Sequence, residues 1–172
     1  MKRIFLYLIF IVFVIGIVGW IVTGPKRIDP ALLSGIEADL ARGEFVFNAA
    51  GCASCHMAKD ASADSRLQLG GGQEFPSSFG TFVAPNISSH KTVGIGTWSS
   101  EDLANALLGG VSPDGRHYFP AFPYGTYNRM TPFDVVSLHA YLAGLPAVGR
   151  ANEPHRISFP FNIRRSVGIW KA

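Results

Sequence analysis

The run Cys52-Ala53-Ser54-Cys55-His56 is the part of this sequence whose residue types and spacing point most directly to chemistry. Two thiols three positions apart can each form a thioether bond to a vinyl group of haem, and the adjacent histidine can then ligate the iron. C-x-x-C-H is the attachment sequence of a c-type haem. We therefore expect Cys52, Cys55 and His56 to hold one covalent haem c, with His56 as an iron ligand.

Other uses of a C-x-x-C pair fit the sequence less well. A zinc site normally needs a second pair of ligands at similar spacing, and the chain has only 2 cysteines. A redox dithiol of the thioredoxin type needs a βαβ context, which the sequence does not indicate. A chance match on an ordinary helix is the remaining alternative. If haem uses both thiols, no disulfide is expected even in an oxidising compartment.

The second axial ligand decides what such a haem can do. A methionine opposite the histidine raises the reduction potential and favours electron transfer, whereas an open position favours binding of gases or peroxide. Of the 3 methionines, Met1 precedes a membrane-spanning candidate and Met57 adjoins His56, so neither can reach the opposite haem face. Met130 remains as the expected ligand. The alternative is a core methionine that fills a packing gap.

Histidine could also supply the second ligand. His117 follows a Ser-Pro-Asp-Gly turn and precedes an aromatic run, so it is the second candidate. His139 lies on a predicted helix and is expected at the surface or in an internal hydrogen bond. His90 and His155 lie in polar loops and are expected to face solvent.

The N-terminal residues form an apolar run that is long enough to cross a bilayer. Residues 4–22 contain no charged side chain, and this length at about 1.5 Å per residue matches a hydrocarbon core of about 30 Å. Trp20 lies near one end, where interfacial aromatic residues are common. A cleaved signal peptide is the alternative, but its apolar region is typically about 7–15 residues long, and residues 23–27 offer no small-x-small cleavage site.

The charges beside this run do not fix its orientation. Lys2 and Arg3 precede it and Lys26 and Arg27 follow it, so the positive charges are nearly balanced. Covalent haem c is attached outside the bacterial cytoplasm, which predicts a single pass through the inner membrane with residues 24–172 in the periplasm. A net charge of +3 without a Lys/Arg-rich run argues against a nucleic-acid partner.

Three helices are predicted to position the ligands. A helix over residues 36–50 runs into the C-x-x-C-H motif, which places the haem at a helix end. Helices over residues 99–108 and 131–143 each begin with a capping box. The two boxes are Ser99 with Asp102 and Thr131 with Asp134. Glycine follows both helices and marks where they end.

The remaining segments are predicted to be irregular. Residues 57–97 are rich in Gly, Ser and Phe, and we expect a long loop region around the haem edge. The predicted organisation is an anchor (1–23), a linker (24–35), a haem domain (36–146) and a C-terminal arm packed on that domain (147–172). The expected fold class is therefore mostly α, with long loops and one N-terminal transmembrane helix.

Three features together resemble the class I cytochrome c fold. They are Gly43-x-x-x-Phe47 before the cysteines, Ala84-Pro85-Asn86-Ile87 after them, and Tyr141-Leu142 in the last helix. In that fold the first and last helices cross. The resemblance therefore implies that Gly43 lets two backbones approach closely and that Phe47 packs near Tyr141.

The same resemblance implies roles around the iron. The carbonyl of Pro85 is the expected acceptor for the second ring nitrogen of His56, and Met130 stands just before the last helix, where class I cytochromes place the methionine ligand. Apart from the resemblance, Trp98, Tyr127 and Arg129 are candidates for holding the haem propionates through hydrogen bonds, and a structural role at the surface or in the core is the alternative for each. The expected apolar wall of the haem pocket consists of Phe119, Phe122 and Tyr124.

Four further runs resemble the cytochrome subunits of periplasmic alcohol, gluconate and aldehyde dehydrogenases. They are GTFVAPNIS (80–88), GIGTWS (94–99), DGRHYFPAFPY (114–124) and AYLAGLPAV (140–148). Those subunits usually carry three haem domains in series, and the similarity, over about residues 36–171, matches one domain and is most like the first. The expectation is therefore a chain that departs from that family in having one haem and an N-terminal span.

These observations predict a membrane-anchored monohaem electron carrier that is not an enzyme by itself. Its expected donor is a periplasmic dehydrogenase or a quinol-oxidising complex, and its expected acceptor is a terminal oxidase or another cytochrome. One alternative is a permanent haem subunit of a respiratory supercomplex or dehydrogenase complex. Another is a haem enzyme or gas sensor with a labile second ligand.

Overall fold

The computed structural model describes residues 2–58, 61–62 and 65–171, and within them helices dominate. The helices are α1 (Lys2–Val22), α2 (Leu40–Ala49), α3 (Cys52–His56), α4 (Ser100–Gly109), α5 (Tyr124–Tyr127), α6 (Pro132–Ala143) and α7 (Val167–Lys171), with 3-10 turns at Pro30–Leu33 and Arg164–Ser166. The strands β1 (Glu74–Ser77), β2 (Gly80–Val83) and β3 (Arg156–Ile157) form one antiparallel sheet in the order β1-β2-β3. The mostly α prediction is confirmed.

Helix α1 lies apart from the rest of the described chain along nearly all of its length. It has 21 residues, none of them buried, and by length and composition it could cross a membrane. At about 1.5 Å per residue it is about 31 Å long, close to the thickness of a bilayer core. The described part of the chain therefore leaves the apolar side chains of α1 uncovered.

The crossing of α2 and α6 is the centre of the helical domain. A Cβ atom placed on Gly43 would lie 2.2 Å from the carbonyl oxygen of Ser137 and 2.8 Å from the Cβ of Tyr141. Only glycine permits this approach. One turn later Phe47 is 1% exposed, and its ring centroid lies 5.3 Å from that of Tyr141. Both contacts were predicted from the resemblance and are confirmed.

The buried core surrounds this crossing. Its apolar members come from α2, α4 and α6 and from the loops between them: Val46, Phe47, Leu69, Ile95, Leu103, Ala104, Leu107, Val135, Leu138, Leu142 and Leu145. Cys52, Ala53, Trp98 and Met130 pack against its edge and remain partly accessible. Three of the residues predicted to bind the haem, Cys52, Trp98 and Met130, therefore border one continuous apolar cluster.

Local capping determines where the helices begin. Both predicted capping boxes are present, at Ser99 before α4 and at Thr131 before α6. Helix α2 begins at Leu40 instead of residue 36, because the side chain of Asp39 accepts a hydrogen bond from the backbone N–H of Arg42 and so caps the helix. The predicted start of this helix was wrong for that reason.

The segment after the cysteines is more ordered than predicted. Strands β1 and β2 form a hairpin within residues 57–97, and β3 from the C-terminal arm pairs with β2. The expectation of a purely irregular loop was wrong here. All four residues of β1 are exposed, so the alternation of apolar and polar side chains that reveals a half-buried strand is missing.

The glycine at the helix crossing gives a direct test of the packing. Gly43→Ala should lower the free energy of unfolding by about 1–3 kcal/mol, because the added methyl group meets backbone atoms that cannot move independently. Gly125→Ala is the matched control, since nothing lies within 4 Å of a Cβ there. Its effect should stay within about 0.5 kcal/mol. Denaturant unfolding followed by circular dichroism measures both, and equal effects would contradict the account of the crossing.

Candidate functional site

His56 ends the short helix α3 and is held by a hydrogen bond to a distant loop. Its Nδ1 lies 2.8 Å from the carbonyl oxygen of Pro85. Among the residues that the structure describes, none is hydrogen-bonded to Nε2 of this ring. A proton on Nδ1 leaves the Nε2 lone pair available, which is the arrangement of a ligand histidine whose second nitrogen is oriented by an acceptor.

The loop that carries this acceptor is itself anchored by Asn86, which is 2% exposed. The side-chain amide of Asn86 donates to the carbonyls of Val148 at 2.7 Å and Arg150 at 2.9 Å. Its oxygen accepts from the backbone N–H of Ser88 at 2.9 Å. These bonds fix the loop against the C-terminal arm, so the Pro85 carbonyl has a defined position.

Gly71, which was not singled out from the sequence, packs against the same contact between His56 and Pro85. The backbone N–H of Gly71 donates to the carbonyl of His56 at 2.7 Å. Gly71 has a φ of 67°, and a Cβ there would lie 2.5 Å from the Pro85 carbonyl oxygen. The signal in the sequence is the run of three glycines at 70–72, which indicates a close backbone approach.

The two thiols lie on neighbouring positions of one helix face. Cys52 and Cys55 are free and half-buried, and residues three apart on a helix point the same way. Burial raises the pKa of Cys52 to about 11. A redox dithiol of the thioredoxin type has a lowered pKa instead. The donor set of two neighbouring thiols and one oriented imidazole therefore fits covalent haem c.

Met130 lies between α5 and α6 at the border of the same core. Its backbone N–H donates to the carbonyl of Tyr127 at 2.9 Å, and its side chain is half-buried against the apolar cluster that Cys52 also contacts. The thioether is a soft donor that suits haem iron. Its assignment as the second axial ligand remains a prediction.

The three candidates for propionate binding have different surroundings. The hydroxyl of Tyr127 donates to the carbonyl of Ala50 at 2.9 Å, so its proton holds α5 to the end of α2. Trp98 packs against the core, and its carbonyl lies 2.8 Å from Nε2 of His139. Arg129 is exposed. Contacts of these side chains with propionates remain predictions.

His117 does not have the surroundings of an iron ligand. It is 3% exposed, with Nε2 lying 2.9 Å from the carbonyl of Thr23 and Nδ1 3.3 Å from Nζ of Lys171. Both ring nitrogens lie within hydrogen-bond distance of protein atoms, which argues against the alternative that His117 is the second iron ligand. Burial, together with the cations Lys171 and Arg165, holds the pKa of His117 below its usual value.

Tyr124 and His155 make contacts that the sequence did not reveal. A Cβ placed on Gly110 would lie 2.7 Å from the ring of Tyr124, which also contacts Trp170 and Lys171, and its place in a haem-pocket wall remains a prediction. His155 does not face solvent freely, because its Nδ1 accepts from the backbone N–H of Val83 at 3.1 Å. His139, expected to be hydrogen-bonded or at the surface, has both ring nitrogens within hydrogen-bond distance of protein oxygens.

Comparison with known proteins identifies the same region. A family model described as cytochrome c matches residues 40–146. The chain is 48% identical over 161 residues to a diheme cytochrome c-type protein of Cereibacter sphaeroides, covering 94% of this chain and 54% of that protein. It is 38% identical over 144 residues to the fructose dehydrogenase cytochrome subunit of Gluconobacter japonicus, covering 83% of this chain and 29% of the subunit.

A third relative is the cytochrome c subunit of the alcohol dehydrogenase (quinone) of Gluconobacter oxydans. It is 33% identical over 137 residues, which cover 79% of this chain and 28% of that subunit. The chain thus spans about half, or less, of the length of these relatives. Their remaining length lies outside the match.

The environment of His117 predicts a pH dependence of stability. Because the folded state lowers the pKa of His117, the unfolded state binds more protons as the pH falls below about 6.5, and stability falls with it. His117→Gln should reduce this slope between pH 6.5 and 5 by up to about 1.4 kcal/mol per pH unit, the limit for one proton. Unfolding midpoints measured across this range test it. Identical slopes in the parent and the variant would contradict the prediction.

Proposed function

Because the chain belongs to the cytochrome c family, we propose that it holds one covalent haem c and carries single electrons. The observation that carries this proposal is the 2.8 Å contact between Nδ1 of His56 and the Pro85 carbonyl, beside two free thiols on the same short helix. When bound, haem supplies an iron that alternates between the ferric and ferrous states and so holds one electron at a time.

The protein side chains have separate tasks in this proposal. Cys52 and Cys55 would hold the haem covalently against α3 through thioether bonds. The Pro85 carbonyl keeps a proton on Nδ1 of His56, so that Nε2 presents its lone pair and the ring cannot rotate freely. Met130 would supply a thioether ligand to the iron, which would favour the ferrous state.

The relatives support a proposal about the partners. Two relatives are cytochrome subunits of fructose and alcohol dehydrogenases. We place substrate oxidation in such a partner and only electron transfer in this chain. The proposed donor is a periplasmic dehydrogenase or a quinol-oxidising complex, and the proposed acceptor is a terminal oxidase or another cytochrome.

Helix α1 is the proposed membrane anchor, with the haem domain in the periplasm. Its length and continuous apolar surface support a span of the inner membrane. The segment after it does not hang free: the side chain of Arg27 donates to the carbonyl of Pro113 at 2.6 Å, and the backbone N–H of Ile28 donates to Oδ1 of Asn105 at 2.9 Å. An anchored carrier of this kind keeps a high effective concentration near membrane partners.

A permanent haem subunit of a larger complex is the second candidate. The contacts of Arg27 and Ile28 with the domain restrict how far the domain can move from α1. This restriction favours a permanent subunit over a shuttle on a long flexible tether. A permanent subunit would remain with its partner on extraction in mild detergent, and a shuttle would be extracted alone.

Carbon monoxide binding tests whether the second axial position is closed. The reduced parent protein should not bind carbon monoxide, because the thioether of Met130 occupies the position, and Met130→Ala should bind it readily. Met57→Ala is the matched control and should behave like the parent. The Soret spectrum after addition of the gas measures the result. A parent protein that binds carbon monoxide as well as Met130→Ala would indicate a haem enzyme or gas sensor instead.

A further inference from the structure

The C-terminal residues 159–171 present an apolar surface that the described part of the chain leaves largely exposed. In α7, Val167 and Gly168 are buried, whereas Ile169 and Trp170 are 71% and 66% exposed. At 100° per residue these pairs lie on opposite faces of the helix. The preceding residues Phe159, Phe161 and Ile163 are also exposed. We call residues 159–171 the collar.

The collar contacts the end of α1 directly. A Cβ on Gly168 would lie 2.1 Å from the carbonyl oxygen of Thr23, so the two backbones touch. The guanidinium of Arg165 stacks over the ring of Trp20, 4.0 Å from its centroid, and also donates to the Trp20 carbonyl. The collar therefore packs against the residues at which helix α1 ends.

This position corresponds to the headgroup layer of a bilayer. A helix of 21 residues is about 31 Å long and fills a hydrocarbon core of about 30 Å, beyond which polar headgroups extend for roughly 5–8 Å on each side. Thr23 then lies at the boundary, and groups in contact with it and with Trp20 lie within the headgroup layer. Exposed tryptophan is typical of that depth.

The charges of the collar and its neighbours suit anionic lipid. Residues 159–171 contain Arg164, Arg165 and Lys171 and no acidic residue, and Lys26 and Arg27 follow α1. Exposed Ile and Trp side chains beside cationic ones are typical of a segment that lies in a membrane interface. Basic side chains next to a span are attracted to lipid phosphates.

We propose that the collar lies in the headgroup layer of the bilayer that α1 spans, with Ile169 and Trp170 inserted toward the acyl chains and Lys26 and Arg165 near lipid phosphates. The inference rests on the proposed anchoring by α1. It gives the haem domain a second attachment to the membrane, so the domain keeps one orientation relative to the bilayer instead of rotating about its linker.

Site-directed spin labels in the full-length haem protein test this placement. The chain is reconstituted in nanodiscs that contain anionic phospholipid, and single cysteines are introduced at Ile169, Phe45 and Val12 for labelling. Haem attachment uses both native thiols, so the parent protein serves as the labelling blank. Phe45, 61% exposed on α2, is the matched apolar control on the domain. Collision with oxygen, compared with a water-soluble nickel chelate, reports depth.

We expect the ratio of oxygen to nickel collisions to be highest at Val12 and lowest at Phe45. At Ile169 the ratio should be several-fold higher than at Phe45. Equal ratios at Ile169 and Phe45, with a high ratio at Val12, would overturn the collar proposal and leave the anchor intact. A low ratio at Val12 would overturn the anchor itself and the collar with it. The haem spectrum of each sample separates both outcomes from loss of the cofactor.

Discussion

The contact between Nδ1 of His56 and the Pro85 carbonyl depends on two segments, far apart in the chain, being held 2.8 Å from one another. One segment is the short helix α3. It follows α2, and the position of α2 is set where it crosses α6 at Gly43. The other is a loop that Asn86 ties to the C-terminal arm. A histidine whose second nitrogen is oriented in this way is a better ligand than a freely rotating one. The helix crossing, the loop and the arm therefore all help to position the imidazole ring of His56.

The C-terminal arm also makes contacts near the end of α1. His117 and Gly168 both contact the carbonyl of Thr23, immediately after α1, and Lys171 donates to the carbonyls of Gly109 and Gly110 at the end of α4. The junction between α1 and the domain is thus made of partly buried hydrogen bonds and close backbone packing. If α1 anchors the chain in a membrane as proposed, this junction would restrict the orientations in which the domain meets its partners.

Features encoded locally could be predicted from the sequence, and features that depend on distant contacts could not. The capping boxes at Ser99 and Thr131 involve residues three apart, so the starts of α4 and α6 were predictable. The pairing of β2 with β3 joins residues more than 70 positions apart and leaves no periodic pattern in strands of two and four residues. His117 illustrates the same limit at the site, because its burial depends on Thr23 and Lys171, which its own neighbours in sequence do not reveal.

The near-infrared spectrum of the oxidised protein tests whether His56 and Met130 together ligate the iron. A methionine-to-iron charge-transfer band should be present in the parent, absent in Met130→Ala and retained in Met57→Ala. Such a band identifies the second ligand as a thioether, which makes the haem an electron carrier. Absence of the band in the parent protein would contradict the account, since Met130 would then not be bound to the iron.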